Sequence, residues 1–388
     1  MLLTAQAGRA DHGTMSAQFE PVWRALQEKV DSGWAPGLVA GIRHGGTTEY
    51  FATGVRTLGL PGKMRTDTPF RIASLGKPVG GALAASMIAD GTLAPDDPAD
   101  VWLPELAYPR VLTSPDAPLE RTVPAERDIT VRHLLTLTHG MGAIFGSTPL
   151  ARAMAEAGIA PDPIPPAMTP DEFMHRLAGL PLEHQPGTRW SYHTGSDLLS
   201  VLLARAGAGP LHQILAERIT GPLGMDGTGF FADPAELPTA YRTGPDGLEV
   251  FDAPDGVFSH APAFESLGGG LVSTVPDYMA FLTALAGDAL LPAEQRRHMT
   301  SDQLNDLQRE GLAEMVGPGV SWGWHVAVDT EGREPWRAPG GYGWTGGTGT
   351  TAYVNPSAGF IGVLFTQRLM AGPRENFNYF WEPLAAAL

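Results

Sequence analysis

Ser74 and Lys77, three residues apart in FRIASLGKPVGGALAASMIADG, have the types and spacing of a nucleophile with its base. On a helix, positions i and i+3 share a face about 5–6 Å apart, which sets the lysine amine beside the serine hydroxyl. A serine hydroxyl attacks well only when a base takes its proton. A lysine serves as that base only when burial or a nearby cation lowers its pKa. The start of the helix adds free backbone N–H groups and the positive end of its dipole, where an oxyanion would form. Alone, the tetrapeptide equally fits a capping serine followed by a surface lysine. Its surroundings favour chemistry, because the apolar FRIA precedes Ser74 and a helix of small residues follows, so that Lys77 is expected to be partly enclosed.

The elements that must position this pair are legible in the hydropathy pattern. Val79, Ala82, Leu83, Ser86 and Met87 form one stripe of a helix beginning at Ser74, with Pro78 tolerated in its first turn and Gly91 ending it. Upstream, Phe19, Val22, Trp23, Leu26 and Val30 predict a helix over residues 16–32, and LVAGIRHGGTTEYFATGV predicts two strands joined at His44-Gly45-Gly46. From about 96 to 267, helical segments such as VRHLLTLT and SDLLSVLLARAG alternate with proline-rich connections, of which PDPIPPAMTP reads as an extended surface link. Strand patterns return in WGWHVAVD, TGTTAYVNP and GFIGVLFTQ, the last two joined by a turn at Asn355-Pro356-Ser357, and a final helix is predicted from Asn376 to Leu388. The expected fold is mixed α/β, in the α+β sense. An antiparallel sheet flanked by N- and C-terminal helices is built from residues 1–95 and 268–388, a mainly helical region, 96–267, is inserted, and the active site lies between them.

Composition narrows the function. Forty-two acidic against 26 basic residues give a net charge of −16, which repels nucleic acid and anionic membrane surfaces. Cysteine is absent, so disulfides, thiolate metal sites and a cysteine nucleophile are excluded. The eleven histidines show no HExxH-like spacing, and neither a metal nor another cofactor is called for. No apolar run reaches the length of a secretory signal core or a membrane span, so a cytoplasmic location is expected. Residues before Met15 are patternless, either a leader or a stretch ahead of the true start.

Five phrases, TPFRIASLGKP, ITVRHLLTLTHGM, PGTRWSYHTGSDLLSVLL, ITGPLGMDGTGF and GGGLVSTVPDYMAFL, stand in the order found in a known family. The chain resembles the serine β-lactamase and penicillin-binding-protein superfamily, above all its class C-like members and the family VIII carboxylesterases. The resemblance implies a β-lactamase/transpeptidase-like fold, Ser74 as nucleophile and Lys77 as base. The family's second motif, a tyrosine two residues before an asparagine, falls on Tyr192, His193 and Thr194; the tyrosine is kept and the asparagine is not. Next to the Lys77 ammonium the Tyr192 phenol is expected to have a lowered pKa, so that the two relay one proton. The third motif, on an edge strand facing the nucleophile, falls on Trp344, Thr345 and Gly346, and implies that the Gly347 and Ser74 N–H groups form the oxyanion hole. Trp344 stands where a cation would hold a substrate carboxylate, and Thr194 where an amide would hold a substrate amide.

These departures favour neutral, apolar acyl groups and hence a small-molecule ester as substrate, with transfer to another alcohol as an extension. A β-lactamase, D-amino-acid amidase or D-peptidase on the same scaffold is the rival reading, and a ligand-binding member without catalysis the second. Oligomeric state is left open. Two other candidates are set aside. Gly319-Val320-Ser321-Trp322-Gly323 matches the G-x-S-x-G elbow of α/β-hydrolases, but the only later histidine is His325, four residues on, and Ser321 reads as a loop residue entering the strand WGWHVAVD. His193 and His139 read as structural residues.

Overall fold

Leu38 to Ile42 is an unbroken run of buried residues because both faces of its strand are covered. In the computed structural model, which describes residues 16–372, 374, 375 and 377–388, β1 (Gly37–His44) and β2 (Thr47–Gly54) form the expected hairpin, turning at Gly45-Gly46. They join β3 (Val320–Trp322), β4 (Ala327–Asp329), β5 (Tyr342–Gly346), β6 (Thr350–Asn355) and β7 (Phe360–Thr366) in one antiparallel sheet of order β2-β1-β7-β6-β5-β4-β3. Leu38, Ala40, Ile42 and Leu364 point to one face, where helices α1 (Glu20–Asp31) and α5 (Asn378–Ala387) cover them with Val22, Trp23, Leu26 and Trp381. Val39, Val363 and Phe365 point to the other, against α4 (Val275–Ala286), and the core on that side continues into α2 (Gly76–Ala89) and α3 (Thr194–Ala206). The sheet and helices are thus the mixed α/β arrangement read from the sequence.

Boundaries differ where local chemistry intervenes. The first helix begins at Glu20 rather than Ser16, because Pro21 suits a first helical turn and the preceding residues make a separate turn. The predicted start of the last helix at Asn376, like everything before Ser16, lies outside the described residues. WGWHVAVD is not one strand: Gly323 to Val326 is the turn between β3 and β4, closed by Gly323 N–H to the Val326 carbonyl at 2.8 Å, with His325 at φ +60°. Ser321 accordingly lies inside β3, buried, with its hydroxyl on the Asp302 carboxylate, and His325 Nδ1 contacts the Leu135 carbonyl at 2.9 Å. That serine has no histidine partner and makes no elbow. Two short hairpins, Arg110–Leu112 with Thr122–Pro124 and Ala240–Gly244 with Gly247–Asp252, interrupt the helices of the 96–267 stretch. Among the described residues no single helix is long and apolar enough to cross a membrane.

What positions Ser74 is the close seating of α2. Every residue from Gly76 to Ala85 is buried, and a Cβ on Gly81 would lie 2.3 Å from the Trp324 carbonyl oxygen, so only glycine lets the helix approach the β3–β4 turn. Gly81→Ala is expected to destabilise the fold by about 1–3 kcal/mol through overpacking against backbone, read as a lower denaturation midpoint. Below α2, Phe70–Arg71 pairs with Val272–Ser273, and the buried Arg71 guanidinium bonds Asp252 Oδ2 at 2.6 Å, the Pro238 carbonyl at 2.6 Å and the Ala253 carbonyl at 2.8 Å. Arg71 so ties the segment entering the site to the two ends of the Ala240–Gly244 and Gly247–Asp252 hairpin.

Candidate active site

Ser74 sits in a single 3₁₀ turn, Ala73–Leu75, that leads into α2. Ala73 is held at φ +43°, a left-handed conformation that costs a non-glycine residue ~1–3 kcal/mol and persists only where neighbours impose it. They do so here through carbonyls: Thr348 Oγ1 donates to Arg71 O at 2.5 Å, Thr350 Oγ1 to Ile72 O at 3.0 Å, and Tyr278 Oη to Leu75 O at 2.9 Å. The turn leaves Ser74 8 % exposed, its side chain facing a cavity of about 300 Å³.

Lys77 is completely buried, one turn along α2. Its Nζ lies 3.1 Å from Ser74 Oγ, 2.7 Å from the Gly268 carbonyl and 3.3 Å from His193 Nδ1. Burial lowers its pKa from 10.5 to about 7, and Asp197 opposes only part of that shift. A substantial neutral fraction is therefore present near neutrality, as a base for serine requires.

Tyr192 comes from the loop before α3, stacked on Trp190 at 5.5 Å. Its backbone is pinned by Ala143 N–H to the Tyr192 carbonyl at 2.8 Å and by Ser191 N–H to the Leu137 carbonyl at 2.8 Å. The phenol differs from the sequence expectation. Burial raises its pKa to about 12, hydrogen bonds to Ser74 and Trp344 offsetting only part, and Lys77 Nζ lies over the ring face, 4.7 Å from its centre, rather than on the hydroxyl. Tyr192 is thus a phenol that keeps its proton near neutral pH, and its contact with the amine is a cation–π one.

Trp344, Thr345 and Gly347 all line the same cavity as Ser74, with Gly346 ending β5 between them. β4 pairs with β5 only at Tyr342 and Gly343, so Trp344 to Gly346 has a free edge toward the cavity, although β5 is not the outermost strand. Trp344 Nε1 donates to Tyr192 Oη at 2.8 Å, and its ring packs edge-on against Trp322 at 4.8 Å. The remaining wall is mostly apolar: Ala143, Phe145, Pro163, Met315, Leu369 and Met370. A second cavity of about 620 Å³ shares Ala143, Phe145, Tyr192 and Met315 with the first.

The structure also brings in residues that the sequence reading set aside or passed over. His193, beside the tyrosine, is buried against Lys77, and its Nε2 faces Asp197 Oδ2 at 3.3 Å. A signal was present, since His193 and Asp197 are four residues apart at the start of a predicted helix and so share a face. Thr194 Oγ1 is buried without a hydrogen-bond partner, and His139 is buried with both ring nitrogens unbonded. Burial lowers the His139 pKa to about 3, so it packs as a neutral ring.

Comparison with known proteins shows the family and the fold. The β-lactamase family model matches residues 22–385. An uncharacterised protein of Mycobacterium tuberculosis is 36 % identical over 355 residues, 87 % of each chain. Esterase EstB of Burkholderia gladioli is 31 % identical over 393 residues, 94 % of each chain. Among solved structures, EstCE1, described as a hydrolase with promiscuous acyltransferase activity, superposes with a TM-score of 0.80 at 23 % identity, over 95 % of this chain and 98 % of its own.

Proposed function

Because the chain belongs to the β-lactamase family, we propose that it is a serine hydrolase cleaving carboxylic esters through an acyl-enzyme intermediate. In this reading Ser74 Oγ attacks the ester carbonyl while neutral Lys77, 3.1 Å away, takes its proton. The N–H groups of Ser74 and Gly347 receive the oxyanion. Tyr192, its oxygen oriented by Trp344, protonates the departing alkoxide. The phenolate so formed has the new Lys77 ammonium 4.7 Å from its ring centre, and that ammonium returns the proton. Water deprotonated by the same pair then releases the acid. Ser74 and Trp344 belong to the mixed unit of 1–95 and 268–388, Tyr192 to the inserted 96–267 region, and the site is read as lying between them.

The observation that carries the ester reading is the cavity wall. Among the described residues lining it there is no lysine or arginine, and the only carboxylate, Asp162, repels an anionic substrate. β-Lactams and terminal peptides carry a carboxylate that such a wall does not pair. The relationship to EstB supports the same class. The adjoining second cavity and the named activity of EstCE1 favour transfer to an acceptor alcohol as a further outlet for the acyl-enzyme.

The test is a comparison of kcat/KM for short-chain nitrophenyl esters, a chromogenic cephalosporin and a D-amino-acid amide. The esters are expected to exceed the cephalosporin, whose carboxylate finds no cation in the cavity wall, by at least about a hundredfold, the scale of losing a charge-paired contact, and to exceed the amide as well. A cephalosporin preference of that size would overturn the assignment.

A further inference from the structure

The buried groups behind Lys77 close into a ring. Lys77 Nζ contacts His193 Nδ1 at 3.3 Å, and His193 Nε2 faces Asp197 Oδ2 at 3.3 Å. Asp197 Oδ1 accepts from Ser266 Oγ at 2.6 Å, Ser266 Oγ accepts from Gly268 N–H at 3.0 Å and Gly269 N–H at 3.1 Å, and the Gly268 carbonyl returns to Lys77 Nζ at 2.7 Å. A Cβ on Gly268 would lie 2.9 Å from Asp197 Oδ1 and 3.2 Å from His193 Nε2, so the ring closes only around glycine. His193 is forced into it. At φ +80°, ψ −66° it is the centre of a γ-turn, closed by Thr194 N–H to the Tyr192 carbonyl at 3.2 Å, a strained conformation for any side-chain-bearing residue.

Resting on the serine-hydrolase reading, we infer that His193 and Asp197 are positioning residues that aim the lone pair of neutral Lys77 at Ser74. The argument is a count of hydrogens. A neutral amine has two N–H bonds and one lone pair, and Lys77 has three polar neighbours. The Gly268 carbonyl can only accept. His193 Nδ1 also accepts when its proton is on Nε2, the tautomer that an ionised Asp197 demands. Both N–H bonds are then committed, and the lone pair is left for the Ser74 hydroxyl.

Ser266 locks the arrangement. With both its lone pairs taken by the Gly268 and Gly269 N–H groups, its hydroxyl hydrogen must find an acceptor, and Asp197 Oδ1 is that acceptor. The protonation directions agree. Burial pushes the Asp197 carboxyl upward but His193, Ser266 and Lys77 together hold it below its usual value, while burial, then Lys77, push the His193 imidazole down. Asp162 and His325 are the other titratable groups acting on the ring, the first on His193, the second on Lys77, His193 and Asp197 alike.

Asp197→Asn tests this directly. Ser266 still requires an acceptor, so the amide oxygen takes the Oδ1 place and the amide nitrogen faces His193. The imidazole must then accept at Nε2 and carry its proton on Nδ1, aimed at the Lys77 lone pair. The variant is expected to lose about a hundredfold in kcat/KM for a nitrophenyl ester, the lower range for disabling a general base. The acidic limb of its pH profile is expected to move to lower pH, because Asp197 holds the Lys77 pKa up. Loss of the carboxylate charge moves the limb by itself, so the plateau decides: a plateau kcat/KM equal to the parent's would overturn the inference. Should Asp197→Asn not fold, His193 decides. His193→Asn keeps an acceptor at the Nδ1 position and is expected to retain at least about tenfold more activity than His193→Ala, whereas equal activities would refute the positioning role. Ser74→Ala separates the two levels: if it stays active the hydrolase reading fails and the ring with it, and if it is inactive while Asp197→Asn matches the parent, the ring alone fails.

Discussion

Ser74→Ala is expected to remove ester hydrolysis by at least about 10³-fold and to abolish covalent labelling by a fluorophosphonate, with the melting temperature unchanged to within about 2 °C. The size of the effect follows from what remains. Without Oγ no acyl-enzyme forms, and water in its place meets a base and an oxyanion hole but no precise angle of attack. Stability should hold, because Ser74 lies at the cavity wall and Ala73 already shows that the strained turn accommodates alanine. Labelling read by intact mass separates this outcome from mere inactivation. A Ser74→Ala protein that still gains the phosphonyl mass would place the nucleophile elsewhere.

Lys77→Met carries the second large effect, a loss of about 10²–10⁴-fold in kcat/KM, the range for removing a general base. The pH profile gives it a sign. Burial takes the Lys77 pKa from 10.5 down to about 7, so the amine is a base above that pH and an ammonium below it. For the parent enzyme kcat/KM should fall tenfold per pH unit below about 7 and level off above it. No alkaline limb is expected until Tyr192 ionises near 12. Lys77→Met should lose the acidic limb together with the rate. Its melting temperature should not fall, since methionine fills similar space without the desolvation cost of a buried amine. A parent profile flat between pH 5 and 9 would refute Lys77 as the base.

Both predictions start from two letters in the sequence, and how far those letters reached is instructive. Ser74 and Lys77 were readable because a helix converts a spacing of three into contact, and the small-residue pattern of α2 announced that the lysine would be enclosed. Strands β1, β2, β6 and β7 were readable from runs rich in apolar and β-branched residues bounded by turn residues, Gly45-Gly46 and Asn355-Pro356-Ser357. Tyr192 and Trp344 came from resemblance alone, since nothing local says that residues 152 apart share a hydrogen bond. The Tyr192 shift was read with the wrong sign because a nearby cation was weighed and burial was not. His193 was set aside as a structural residue because a lone histidine on a loop gives no sign of the γ-turn that buries it against Lys77. The β3–β4 turn was hidden inside an apolar run, with Gly323 its one mark.

Trp344 has a double commitment. The same indole that walls the cavity beside Ser74 gives its N–H to the Tyr192 phenol, the group that in the proposed mechanism protonates the leaving alkoxide. Any drift in sequence that shrinks this ring to admit a bulkier acyl chain also frees the phenol, so appetite for new substrates is tied to speed on old ones. Lineages diversifying from such a site are steered toward Phe145, Met315 and Met370, which shape the cavity with side chains that offer the phenol no donor.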